Sequence, residues 1–416
     1  MKKVCFITIL FISSCAWCQN NNSPFSIIGI GDIETNYYNR SSGLANTGLG
    51  YRSDRYLLNN NPASYSALTQ QFFDFEFSGR AQFVTYTGDP LNGVSNSSKD
   101  FAVKHLALGT KINKWWGSSV GLMPFSSSNY GFTSVKNIQG SSSSPIPAQY
   151  DGNGGVNQIY WGNGFNITKH FSIGVNASYL FGSLTQTETL LTTADLQTSL
   201  VTTRQLFLRK LYLTYGAQYY FNINKKWDIS LGGIFSKKTD LATQSTLQVA
   251  DNGVSVLANP VEQDGTYKIP GTIAAGFRAT KDKRYSFSAD YQYQPWSNTH
   301  YGGSNYSLQN SNRVSAGFEV SDKKQAYNAL YEKSFLQAGV YYGNSYLNVN
   351  GKQINDMGLT LGYGINSFKN PLGMTVNLEI GQRGTQQNGL IKESYVNISF
   401  GISYRDFWRT KGIRYN

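Results

Sequence analysis

From residue 71 onward, apolar and polar residues alternate in segment after segment. In YSFSADYQYQ (285–294), Tyr285, Phe287, Ala289, Tyr291 and Tyr293 alternate with Ser286, Ser288, Asp290, Gln292 and Gln294. In FSIGVNASYLFG (171–182), Phe171, Ile173, Val175, Ala177, Tyr179 and Phe181 oppose a face made mostly of Ser, Gly and Asn. LYLTYGAQYYFN (211–222), MTVNLEIG (374–381) and VNISFGISY (396–404) repeat the scheme. A period of two is an extended strand with one apolar and one polar face. The partner of the apolar face is either a protein core or lipid.

The connections separate the two cases. One class is short and carries lysine, usually beside an aromatic: INKWW (112–116), ITKHF (167–171), INKKW (223–227), ATKDKR (279–284) and SFKNP (367–371). The other is mostly longer and rich in Ser, Asn and Gly, as in 133–155 and 297–310. The two classes take turns along the chain. Outer-membrane barrels segregate short turns and long loops in this way and place aromatics at both interfaces. The pattern therefore predicts an all-β protein, a transmembrane antiparallel β-barrel of about fourteen strands. The strands are expected at 71–88, 100–112, 117–131, 157–168, 171–185, 204–223, 226–247, 267–280, 284–296, 311–320, 333–349, 354–366, 372–386 and 391–404. The stretch 321–333 reads as a long connection on the short-turn side, with a helical turn.

Composition agrees with lipid. Charged residues are 14% of the chain and aromatics 14%, with 29 tyrosines, against a usual charged share of about 25%. The mean hydropathy of −0.36 is compatible, because only half of each strand meets lipid. The opening MKKVCFITILFISSCAWCQN has the two lysines and short apolar run of a secretory signal, cleaved after Cys18. A second reading makes Cys15 an acylated lipoprotein cysteine. All three cysteines lie in this segment, so thiol catalysis and thiolate metal sites are not expected in the mature chain. His105, His170 and His300 are scattered without ligand spacing, and no metal or cofactor is expected. The net charge of +12 sits one or two lysines per turn, with no contiguous stripe for nucleic acid; lipid headgroups at the rim are the expected partner.

Residues 19–70 do not alternate. They are too short for a core of their own and too apolar for a free tail, which points to an N-terminal plug inside the lumen of the barrel at 71–404. Residues 405–416 form a C-terminal tail on the periplasmic side. The triplet Asn61, Pro62, Ala63, just ahead of the first strand, and the glycine-bearing SSGLANTGLG upstream resemble the long-chain fatty-acid transporter superfamily of outer-membrane barrels. Gly29 to Asp32, GLMPFSS (121–127), LNVNGKQIND (347–356) and the DFWRTK tail resemble a Bacteroidota-type branch of it. The resemblance implies fourteen strands, an N-terminal hatch, and a kinked third strand that lets apolar cargo leave sideways.

Two groups of residues invite a functional reading. Asp74, Glu76, Arg80, Asp290, Arg313, Glu319, Glu379 and Arg383 fall on the inward face. Read as ion pairs they fix the plug; no nucleophile–base constellation accompanies them, and no enzyme activity is expected. Pro124 interrupts a wall strand, where a residue without an N–H marks a break. Gly121, Leu122, Met123 and Phe125 are expected to line a recess there. Two functions follow. One is passive uptake of small hydrophobic molecules with lateral release near the third strand. The other is a non-conducting binding or shuttle barrel that serves a secretion or surface-assembly machine, with the barrel-assembly machinery as partner. Either places the protein in the Gram-negative outer membrane.

Overall fold

A computed structural model describes residues 23–407 except 70–71, 89–95, 137–144, 192–198, 301, 303–304, 327–328 and 368–370. The signal sequence with Cys15 and Cys18, Gln19, and the tail beyond residue 407 lie outside the described residues. The wall is a closed 14-strand antiparallel barrel. Its strands are β1 Phe72–Thr87, β2 Ser97–Lys111, β3 Trp116–Ser127 (continued by Tyr130–Lys136), β4 Ile146–Asn166, β5 Phe171–Leu190, β6 Leu200–Ile223 and β7 Trp227–Ser236 (continued by Thr239–Asp251). Then follow β8 Val261–Ile269 with Thr272–Lys281, β9 Tyr285–Gln294, β10 Ser311–Ala326, β11 Ala329–Val349, β12 Lys352–Asn366, β13 Leu372–Gly384 and β14 Lys392–Phe407. Each strand pairs with the next, and β14 closes on β1 from Phe72 opposite Phe407 to Thr87 opposite Lys392.

The alternation is resolved as the period-two pattern requires. On β12, Leu359 is 61% exposed and Thr360 only 3%, so the leucine faces lipid and the threonine the lumen. Tyr285, Phe287 and Tyr291 of β9 are exposed while Ser286 and Ser288 are buried.

The strands overrun the expected segments in several places, and two of these replace an expected loop or connection. The stretch 321–333 holds no described helical turn: β10 and β11 pair down to Ala326 opposite Ala329. The expected long loop at 133–155 is largely strand, where Tyr130–Lys136 pairs with β4 and β4 with β5 up to Ala148 opposite Leu190. Length explains both. A strand of 20 residues such as β5 is about 66 Å long and, tilted by roughly 45°, covers about 47 Å against a hydrocarbon layer of about 30 Å. Its outer part pairs in water, where no apolar face is needed.

Residues 23–69 lie within the ring of strands. The 3-10 turn Ser42–Leu44 packs on β10 to β13, and Pro62–Ala67 packs on β2 to β6. Leu44, Ala45, Leu57, Leu58 and Ala63 are fully buried. Asn61 caps the start of the second turn and ties it to the wall: its Oδ1 accepts from Ala63 N at 3.1 Å, and its Nδ2 donates to the carbonyls of Leu49 (3.0 Å), Ala217 (3.1 Å) and Gly233 (3.3 Å). Pro62 suits the first helical position, whose N–H has no intrahelical partner. Inward glycines make room. A Cβ at Gly216 would stand 2.1 Å from Asn61 Oδ1, and one at Gly232 would stand 1.8 Å from the Leu49 carbonyl oxygen.

Two expectations follow. Ala289→Arg places a charge among the lipid-facing Phe287 and Tyr291 and should destabilise the barrel by roughly 2–4 kcal/mol. Gln292→Arg, three residues on and facing the polar lumen, should cost much less; denaturant midpoints of the refolded barrels measure both. Asn61→Ala leaves the buried Ala63 amide without its acceptor and removes the side-chain ties to the wall carbonyls. It should lower stability by about 1–3 kcal/mol with the barrel still formed, read from the loss of heat-modifiability at a lower temperature.

Candidate functional site: a wall break bridged from within

The ladder between β2 and β3 runs from Lys111 opposite Gly117 to Leu106 opposite Leu122 and stops there. Beyond that point β2 continues to Ser97 paired with β1, and β3 continues to Ser127 paired with β4. Pro124 lies opposite Asn157 on the β4 side, and Phe125 is the extra residue of a bulge before Ser126 meets Val156. The two strands thus part within two residues of Pro124. β2 bulges at the same level, since Ser78 faces His105 and Gly79 faces Val103. The extra residue turns Lys104 and His105 both inward, where they are 5% and 0% exposed, and keeps Val103 and Leu106 toward lipid.

The N-terminal segment occupies the inner side of this break. Asp32 and Ile33 form a short strand against Ser127 and Ser126 of β3, and Glu34 N donates to the Phe125 carbonyl at 3.0 Å. Ser126 Oγ donates to the Ile30 carbonyl at 2.7 Å. The segment's side chains reach the other bank. Lys104 Nζ of β2 donates to Glu34 Oε2 at 3.1 Å, and Arg80 of β1 lies 4.0 Å from the same oxygen. Ser78 Oγ bonds the Tyr38 carbonyl at 2.7 Å, and Arg80 Nη1 donates to Tyr38 Oη at 3.2 Å. Burial pushes the Glu34 carboxyl up, but Lys104 and Arg80 outweigh it and hold it below the usual carboxylate range.

The residues expected to line a recess divide. Leu122 faces lipid. Met123 is buried, and Asn59 Nδ2 contacts its sulfur at 3.0 Å. Phe125 meets Tyr212 edge-on with centroids 6.0 Å apart. Gly121 leaves no space: a Cβ there would stand 2.6 Å from the Tyr160 ring, whose hydroxyl lies 3.2 Å from His105 Nε2.

The inward charges are distributed around the lumen, and most contact the N-terminal segment. Glu319 accepts from Arg278 (2.7 Å) and Gln337 (2.6 Å) and pairs with Arg40 (3.1 Å), which also pairs with Glu332. Asp290 accepts the Gly48 and Leu49 amides at 2.7 and 3.0 Å, and Glu76 the Leu57 amide at 2.9 Å. Arg383 pairs with Asp32. Glu379 accepts from Tyr341 Oη at 2.7 Å, Arg313 lies 3.9 Å from Asp356, and Asp74 lies 3.5 Å from Arg405. A cavity of about 310 Å³ remains in mid-lumen, lined by Arg80, Arg313, Arg383, Asp356, Glu379 and Glu393 among others. Among the described residues no group of three histidine or acidic side chains is arranged to hold a metal.

Sequence reasoning missed Glu34, Arg40, Lys104 and Arg278. Arg278 falls on the polar parity of its strand, a signal that was there to read. Lys104 announces itself in FAVKHLAL, where two polar residues in succession break the alternation between Val103 and Leu106. Glu34 and Arg40 precede the alternating region, and periodicity carries no information there.

A search of curated proteins finds no sequence match. Solved structures match across almost the whole chain. The Ralstonia pickettii toluene transporter TbuX aligns with a TM-score of 0.55 at 15% identity, over 87% of this chain and 98% of that one. The Pseudomonas putida toluene transporter TodX aligns at 0.53 and 16%, over 90% and 99%. A Pseudomonas aeruginosa FadL homologue aligns at 0.55 and 12%, over 89% and 98%. At these identities the likeness establishes the fold, that of the FadL-type outer-membrane barrels. The family model described as BamG matches residues 1–416, and the chain belongs to the BamG family.

Proposed function

We propose that this protein is a plugged, non-conducting outer-membrane barrel that serves a surface-assembly machine, with the barrel-assembly machinery as its partner. The observation that carries the reading is the double use of residues 23–69. They fill the lumen with buried Leu44, Leu57, Leu58 and Ala63, and they bridge the wall break through Ile33 and Glu34. The cavity of about 310 Å³ is of mixed lining, with Arg80, Arg313, Arg383 and Glu379 facing it beside Met123, Phe125 and Ile234, and is not the continuous apolar path that a hydrophobic conduit needs. The prefix in the name BamG supports the same partner.

The second reading, passive uptake of small hydrophobic molecules with lateral release, is favoured by one observation: the β2–β3 ladder stops at Leu122, beside Pro124. In that reading the segment Asp32–Glu34 is a gate that withdraws from β3. A covalent lock separates the two. Ile33 and Ser126 are cross-strand partners, and such pairs have Cα atoms about 4.5–5.5 Å apart, within disulfide reach. In proteoliposomes, the Ile33→Cys/Ser126→Cys variant should take up an apolar fluorescent probe no faster than protein-free liposomes, oxidised or reduced. Uptake that appears on reduction would contradict the non-conducting reading and support the gate.

The partner is tested separately. Mildly solubilised from native membranes, the protein should co-purify with the central barrel of the assembly machinery. Recovery as a free barrel, with that machinery intact elsewhere in the same gradient, would remove the partnership.

A further inference from the structure

The short-turn rim carries a chain of basic turns that the plug and the wall break leave unexplained. Lys114 precedes β3, Lys169 precedes β5, Lys225 and Lys226 precede β7, Lys281 ends β8, and Lys283 and Arg284 lie between β8 and β9. Six of these seven side chains belong to exposed residues in tight turns beside exposed Trp115, Ile167, Ile223 and Trp227, and Lys281 is exposed at the strand end. Two acids share the arc, Asp282 and Asp228, and Asp228 accepts from Asn222.

Two observations separate this arc from ordinary solvated lysines. Neighbouring turns are tied together by backbone hydrogen bonds: Asn166 N to Trp115 O (2.7 Å), Tyr220 N to His170 O (2.9 Å), Asp282 N to Lys226 O (2.8 Å) and Ser321 N to Arg284 O (2.8 Å). The charges therefore sit on one continuous bonded edge at fixed spacing. The cations also lie against the interfacial aromatics. Lys281 Nζ is 5.7 Å from the centre of the outward Trp227 ring, and the Arg284 guanidinium is 5.3 Å from that of Tyr285. Rings of that kind mark the headgroup level of the bilayer. The arc is thus held at the height of lipid phosphates and not out in the aqueous phase.

We infer that this arc binds the headgroups of anionic phospholipids in the leaflet at the short-turn side, fixing the barrel's depth and orientation there. A Lys or Arg beside an anionic surface strengthens binding by roughly fivefold per charge, so four charges acting together give a large preference.

The test is native mass spectrometry of the full-length barrel released from detergent containing equal phosphatidylglycerol and phosphatidylcholine. The wild type should retain phosphatidylglycerol severalfold over phosphatidylcholine. The preference should collapse in about 1 M salt, where the Debye length is roughly 3 Å. Lys225→Gln/Lys226→Gln/Lys281→Gln/Lys283→Gln should lose it while staying heat-modifiable, and Lys237→Gln/Lys238→Gln, in the break within β7 at the strand end away from the short turn, should keep it. Equal retention of the two lipids by the wild type would overturn the proposal. So would an unchanged preference in the fourfold variant, which would leave the arc to an acidic protein surface.

Discussion

Hydrocarbon offers no hydrogen bonds, so every backbone amide and carbonyl in a membrane wall must find its partner inside the protein. That constraint closes the ladder around fourteen strands, and it makes the place where the β2–β3 ladder stops an informative part of the molecule. Between β2 and β3 the pairing ends at Leu106 and Leu122. The cause is local: Pro124 has no donor, Phe125 is extra, and Lys104 is extra on the opposite bank. The chain's answer is Asp32 to Glu34, whose backbone pairs with β3 and whose carboxylate pairs with β2.

The lumen repeats this logic. Glu319 with Arg40, Arg278 and Gln337 is a buried charge network that holds only because each member is paired, and two of its cations also lie on aromatic faces, Arg40 3.6 Å over Phe335 and Arg278 3.8 Å over Tyr51. Asp290 and Glu76 accept amides of the N-terminal segment. Removing that segment would take these partners away and leave the groups to water, so wall and filling stabilise one another through contacts neither makes alone. An open hydrophobic conduit needs neither the charges nor the packing.

Much of this was legible in the sequence, for a physical reason. Period-two alternation is a local property, and it located the β5 and β9 faces residue by residue. The polar parity gave the inward charges, and Pro124 gave the position of the break. What the alternation could not give were contacts between a non-periodic segment and distant strands. Glu34 with Lys104, or Asn61 with Ala217 and Gly233, depend on how residues 23–69 coil inside the ring. The glycines on the polar faces, Gly216 and Gly232 among them, were visible as composition, but their meaning as clearance for that segment needed the third dimension. The same gap explains why Gly121 read as a recess when Tyr160 fills it.

The central claim is that the N-terminal segment is part of the sealed structure and not a loosely seated hatch. Hydrogen–deuterium exchange of the full-length barrel in lipid nanodiscs addresses it directly. The amides of Glu34, Ala45, Gly48, Leu49 and Leu57 each have a wall partner and should exchange as slowly as those of β12 and β13. Exchange of these amides within seconds, with the wall still protected, would contradict it.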